Sequence, residues 1–174
     1  MRFSEIEPYT RNSQYHVDVA WSDLERHIAR WTADYGMELD PDFQRPHVWV
    51  RAQQSRFVEH ILRWGVNGKD LYFNCPHWNW SPKGPIVLVD GKQRLQAVRL
   101  FLSGRIRAFG QKFAEFGEDT DWVRHTFKFH VNDLATRAEV LQWYIDLNAG
   151  GIAHKKSEIA AVQAMLEAEV SSSR

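Results

Sequence analysis

The sequence has a single cysteine, Cys75, in 174 residues, which excludes an intrachain disulfide and any zinc site built on paired cysteines, and which fits a reducing compartment. An excess of one charge is missing too. Lys plus Arg and Asp plus Glu each total 22, so no global positive field exists to hold nucleic acid without regard to sequence, and any such contact must be local. Nowhere do about 18 apolar residues run together, as a membrane span requires. The opening MRFSEIEPYT has no apolar stretch of a signal-peptide kind, so a cytoplasmic chain without a membrane partner is expected. Internal repeats and low-complexity tracts are absent. The eight histidines include His47, His60, His77 and His154 but form no HxxxH, HxH or HExxH pair, which disfavours a zinc enzyme. No GxxxxGK[ST] loop, GxSxG elbow or Cys/His nucleophile arrangement occurs.

Apolar and aromatic residues are plentiful. At 44% apolar, with ten Phe, eight Trp and five Tyr, the chain can bury one core of ordinary domain size. One domain over residues 1–170 is expected, with the polar end 171–174 as a disordered tail. His16 to Ala20 alternates as a short strand, and Ser22 is placed to cap a helix carrying Leu24, Ile28 and Trp31, stopped by Gly36. The two prolines of ELDPDFQRPHVWV predict an extended connector before a second helix from Arg51 to Trp64. Leu71 to Phe73 and Ile86 to Val89 read as strands, the latter buried on both faces, and Ile106 to Phe109 as a weaker one. His125, Phe127, Phe129 and Val131 alternate with polar residues as a half-buried strand. Helices over Arg137–Leu147 and from Lys156 follow. Strands and helices without strict alternation predict an α+β domain, a small mixed sheet flanked by helices.

The sharpest local feature is VLVDGKQRLQAVRLF. An apolar strand entering a glycine turn that opens a helix gathers unpaired backbone N–H groups and the positive helix end at one point, which suits a phosphate. Gly91 lets the backbone approach closely, and Lys92 and Arg94 supply charge, the guanidinium gripping two oxygens at once. Asp90, at the strand end, is placed to hold a divalent cation or to accept a hydroxyl proton. The plain alternative makes Asp90 a helix cap and Arg94 a surface residue. Trp78 and Trp80, in a proline-rich loop, suit stacking on a base or packing over the core edge. Arg99, Arg105, Arg107 and Lys112 form either a local nucleic-acid track or a solvated face.

The order of PDFQRPHVW, FVEHIL, LVDGKQRLQAV and LNAGG, with a Glu one turn into the next helix, resembles the ParB/sulfiredoxin-like superfamily. More narrowly it resembles the domain at the amino end of GmrSD-type modification-dependent restriction proteins, whose hallmark reads DGQQR; Lys92 stands in place of its first Gln. The resemblance runs from about Asp40 to Val162. It implies an α+β fold that binds a nucleoside triphosphate, ATP first and CTP or GTP next, with Mg²⁺. It implies phosphoryl transfer, as an NTPase or a kinase, or a nucleotide switch with little turnover. Phage and defence proteins carry small stand-alone versions, so a hydroxyl on a modified base of phage DNA, flipped or single-stranded, is the attractive acceptor. Cleavage, the task of a separate nuclease half, is not expected of these residues.

Residue by residue, the resemblance puts nucleotide binding on Gln44, Arg45, Gly91, Lys92, Gln93, Arg94 and Asn148. It puts catalysis on Asp90, Lys92 and Arg94, and metal binding on Asp90, Glu59, Asn148 and Glu158. Asn148 and Glu158 keep the ten-residue interval of the partition-protein branch, although Leu147 stands where that branch has a Glu. Nucleic-acid contact is expected at Trp78, Trp80, Arg105 and Arg107. Each has a plainer alternative: Arg45 in a surface ion pair, Glu59 flanking a buried stripe, Asn148 as a C-cap, and Glu158 offsetting a helix dipole.

Overall fold

The structure, a computed structural model, describes residues 15–78, 81–117, 124–149 and 156–172. Four strands, β1 (His16–Ala20), β2 (Asp70–Asn74), β3 (Val87–Asp90) and β4 (Thr126–Asn132), form one mixed sheet in the order β1-β4-β2-β3. β4 runs antiparallel to β1 and parallel to β2, while β3 lies antiparallel to β2 at the edge. The edge is partly covered by a bridge from Glu38 to Val87, which limits the unpaired backbone that invites foreign strands. Among the described residues five α-helices surround the sheet: α1 (Leu24–Tyr35), α2 (Arg51–Leu62), α3 (Lys92–Leu102), α4 (Arg137–Ala149) and α5 (Lys156–Ser172). The expected α+β class with a small mixed sheet is what the structure has.

Alternation along β4 decides the layering. Phe127, Phe129 and Val131 point to one face and are buried with Leu71, Phe73 and Leu88 under α1, α2 and α3. Burying one such side chain fully stabilises by roughly 1.5–3 kcal/mol. On the other face, Val89 joins Leu141, Trp143, Tyr144 and Val162 in a second core beneath α4 and α5. Leu88 and Val89 are both fully buried, so β3 is covered on both faces as the apolar run predicts, although it lies at the sheet edge.

Local chemistry sets the helix ends. Gly36 closes α1 at φ +62°, a left-handed conformation that glycine adopts at no steric cost. Ser22 does not cap α1: residues Trp21–Asp23 form a 3-10 turn and no side chain caps the helix. α4 is opened by a reciprocal pair, in which the Glu139 carboxylate accepts from the Thr136 N–H and hydroxyl at 2.9 Å while the Thr136 oxygen accepts from the Glu139 N–H at 3.2 Å. The segment 106–109 is not a strand; Ala108 and Gln111 bridge a tight turn whose Phe109 and Gly110 have positive φ. Ser171 and Ser172 continue α5, so the helix enters the stretch expected to be a disordered tail, and 173–174 lie outside the described residues.

Candidate phosphate-binding cleft

The β3–α3 turn forms because Gly91, at φ +109°, takes a conformation closed to side chains. A Cβ there would meet Leu71 Cδ2 at 2.2 Å, so the strand end and helix start approach β2 only through a glycine. No side chain caps α3, and its first residues line a cleft of about 100 Å³ together with Gln44, Arg45, Asp90, Gly91 and Asn148. All seven residues expected to bind nucleotide therefore meet at one place. Trp49, Val89 and Tyr144 line it as well; no local pattern in the sequence marks these three, since an aromatic in a connector or on a helix reads first as core.

Most of the polar side chains of the cleft are engaged with the protein itself. The Lys92 ammonium is buried against Asp40 and donates to the Arg45 carbonyl at 3.1 Å. It ties the connector to the helix, and Asp40 gives the buried ammonium the counter-charge it needs. Gln93 does similar work: its Oε1 accepts from the Val48 and Trp49 amides at 3.1 and 3.2 Å, and its Nε2 donates to the Pro46 carbonyl at 3.2 Å. Gln44 donates to the Leu88 carbonyl. These three build the wall of the cleft. His47, on the same connector, is held below the usual histidine range, first by partial burial of its ring and then by the Lys92 charge.

Arg94 and Asp90 form an ion pair one helical turn apart, and Arg94 Nη1 donates to the Asp70 carbonyl at 2.7 Å. With side chains 19% and 37% exposed, respectively, both stay within reach of solvent at the cleft mouth. Beyond Asp70 lies a cluster that the sequence reading missed. The Asp70 carboxylate meets His130 Nε2 at 2.7 Å, and Tyr72 stacks on the His130 ring at 4.9 Å. Burial, and next the Asp70 charge, hold the Tyr72 hydroxyl above its ordinary range. The far wall comes from α4, anchored by the Phe43 and Tyr144 rings at 5.4 Å and by Arg137, which pairs with Asp42 at 2.9 Å and Glu169 at 3.2 Å. Asn148 lies within the last turn of α4, where its Nδ2 donates to the Tyr144 carbonyl at 2.6 Å.

Of the expected metal set, Asp90 and Asn148 line the cleft and Glu59 does not. Glu59 lies on α2 and accepts from the Phe109 N–H at 2.8 Å, so it anchors the 106–111 turn; the Glu158 side chain lies outside the described residues. Among the described residues no group of three His, Cys, Asp or Glu side chains could hold a metal ion. Mg²⁺ needs one or two carboxylates when phosphates and waters complete its shell. Among the described residues the cleft offers the Asp90 carboxylate and the Asn148 amide, too few donors for a cage built by protein alone.

The other expected contacts divide. Trp78 packs against Trp31 and Tyr35 at 5.3 and 5.4 Å beside the main core, so it seals an edge and is not a free stacking platform. Trp80 lies outside the described residues. Arg107 donates to the Gly110 carbonyl and pairs with Glu115 at 2.8 Å, holding its own turn, whereas Arg105 lines an open groove. No described helix is long and apolar enough to cross a membrane.

A family model for the N-terminal domain of GmrSD restriction endonuclease matches residues 28–128, more than half of the 174. The chain belongs to this family. The match runs from within α1 to the middle of β4 and takes in Gln44, Arg45 and Gly91 to Arg94; it stops before α4, which supplies Tyr144 and Asn148. No curated protein and no solved structure matches the chain. Membership makes this a restriction-associated GmrSD N-terminal-type domain.

Proposed function

We propose that this domain binds a nucleoside triphosphate, ATP ahead of CTP or GTP, by its phosphates at the β3–α3 turn, and couples that binding to an encounter with DNA. The observation that carries the reading is convergence. Gln44 and Arg45, Gly91 to Arg94, and Asn148 come from three separate stretches and line one cleft at an uncapped helix start, where unpaired amides and the positive dipole end favour an anion. A cleft of about 100 Å³ is far below the roughly 300–1,000 Å³ of a pocket that encloses a whole drug-sized ligand. The phosphates enter it and the base lies outside, toward Trp49.

Phosphoryl transfer is the activity we attach to the site, either hydrolysis or phosphorylation of a hydroxyl on a modified base of phage DNA. Phosphates carry more charge than one carboxylate, so they draw Arg94 away from Asp90. The released Asp90 carboxylate orients the attacking hydroxyl or water and takes its proton as the new O–P bond forms. The bond from the γ-phosphorus to its bridging oxygen breaks, and the diphosphate leaves. Mg²⁺ would neutralise the phosphate oxygens, and Asn148 with one oxygen of Asp90 would hold it, leaving the other Asp90 oxygen for the proton. Catalysis then comes from positioning and charge.

A second reading, a nucleotide-driven switch with little turnover, is favoured by two observations: Lys92 is committed to Asp40, and no carboxylate cluster for metal occurs among the described residues. Incubating the purified chain with labelled ATP, CTP or GTP and Mg²⁺, with and without DNA, separates the two. Phosphate release or transfer supports the enzyme; tight binding without turnover supports the switch. Arg45→Ala and Arg94→Ala each weaken nucleotide binding at least tenfold, about 1.4 kcal/mol, with the fold checked by circular dichroism. Normal binding by both variants removes the site assignment.

A further inference from the structure

The geometry points to a second ligand track: the groove that leaves the phosphate cleft at Trp49 and follows α3 to Arg105 holds a single strand of DNA. Resting on the DNA partner proposed above, it says where that partner lies. Three hollows share their walls. Trp49 lines both the phosphate cleft and a cavity of about 480 Å³ between the start of α2 and α3, with Arg51, Gln96 and Arg105 on its sides. Gln96, Leu100 and Arg105 also line the next cavity, of about 520 Å³, which ends at Arg99 and Glu25.

The charges in this groove are not explained by folding. Arg51 is the first residue of α2, and the first turn holds no acidic residue, so its cation adds to the positive end of a helix dipole where a negative group is favoured. Among the described residues neither Arg51 nor Arg105 has an ion-pair partner; Arg99, by contrast, is held bidentately by Glu25 at 2.6 and 2.9 Å, which closes the far end. Two unpaired guanidinium groups on one groove match a phosphodiester backbone. Trp49, half-buried on Phe57 at 5.5 Å, offers its ring at the junction, and stacking on an aromatic face is how single-stranded bases are held without a sequence code. The bases of a single strand, unlike those paired and stacked in a duplex, are free to stack on Trp49. A strand running from Arg105 past Arg51 delivers a base to Trp49, at the edge of the phosphate cleft.

Fluorescence anisotropy on the full chain tests this, with a labelled oligonucleotide of about 12 nucleotides, within the site sizes of strand-binding domains, against its duplex at several salt concentrations. The single strand binds more tightly than the duplex. The double variant Arg51→Gln/Arg105→Gln weakens strand binding at least tenfold and lowers the magnitude of the salt slope by about 1.4, or 0.7 for each lost phosphate contact. Trp49→Leu weakens it about fivefold or more, the lower end of base stacking on one aromatic. Arg26→Gln/Arg30→Gln on the solvent face of α1 leaves it unchanged. Nucleotide binding is measured on the same samples and circular dichroism guards against unfolding. Equal or tighter duplex binding, an unchanged slope in the folded double variant, or no strand binding at low salt overturns the proposal. Strand binding without nucleotide binding removes the phosphate cleft alone, and nucleotide binding without strand binding removes the groove alone.

Discussion

Replacing Gly91 by Ala tests the turn on which the phosphate cleft depends. The new Cβ would lie 2.2 Å from Leu71 Cδ2 and 3.3 Å from Cγ, and the backbone would carry a side chain at φ +109°. The conformational strain costs about 1–3 kcal/mol. Leu71 is fully buried in the main core, so moving it aside adds the roughly 1–3 kcal/mol typical of overpacking. The total, about 2–6 kcal/mol, is a large share of the roughly 5–15 kcal/mol that holds an ordinary domain. Urea unfolding of Gly91→Ala, Leu71→Ala and the double variant separates the two contributions. Leu71→Ala alone loses about 2–5 kcal/mol through its cavity, but in the Gly91→Ala background it loses at least 1 kcal/mol less, because the added methyl then has room. A Gly91→Ala loss under about 0.5 kcal/mol, the level of an ordinary surface change, would show that the turn does not need glycine and that the close approach to β2 is not what shapes the cleft.

Lys92→Ala lowers stability by about 1–3 kcal/mol in urea unfolding, because it strips the Arg45 carbonyl of its donor and leaves a gap under the connector. Gln93→Ala frees the Val48 and Trp49 amides, so limited proteolysis cuts residues 46–50 faster while circular dichroism stays native. His27, with Nε2 buried and without a partner among the described residues, lies against Trp31 and Phe129, and burial holds it below the usual histidine range. The unfolded chain therefore takes up the proton first, so Tm falls as pH drops below about 6.5; His27→Gln lessens that slope, and an unchanged slope refutes the assignment. Burial raises the Cys75 thiol to about 11, so at pH 8 a maleimide labels the native protein far more slowly than the urea-unfolded chain.

Where the sequence was legible, a short period or a short-range turn carried the signal. The alternation through Phe127, Phe129 and Val131 gave β4 and its buried face, and the Asp90–Gly91 break gave the β3–α3 turn. The convergence of Gln44, Arg45 and Asn148 on that turn has no local signal; the order of motifs supplied it, and the structure brings those residues together. The side-chain roles were less legible because charge and amide chemistry serve phosphate and protein alike. Whether Lys92 meets an anion from outside or Asp40 from within depends on a residue 52 positions away. The contact that Glu59 makes was illegible for the same reason, since its partner, the Phe109 amide, is 50 positions off. The segment 106–109 has the apolar ends of a strand, but Gly104 and Gly110 at φ +70° and +77° fold it into a turn.

Burial divides the cleft into a frame and a responsive part. Lys92 and Gln93 are buried, and with Gln44 they spend their polar atoms on the connector and on β3; leaving such a buried group unpaired costs about 1–3 kcal/mol, so this part of the cleft resists change. Asp90 and Arg94 are different. A partly exposed ion pair contributes only about 0–1 kcal/mol, little enough for a phosphate to exchange one anion for another at Arg94. Asp90→Asn tests this division in a direction that a purely structural pair does not predict: it removes both the competing carboxylate and its repulsion, so nucleotide affinity rises about fivefold or more, equivalent to roughly 1 kcal/mol, while any phosphoryl transfer falls. An affinity that drops along with activity in the folded variant would mean that Asp90 binds the ligand, through a cation, more than it guards Arg94, and would move the responsive element from the ion pair to the metal.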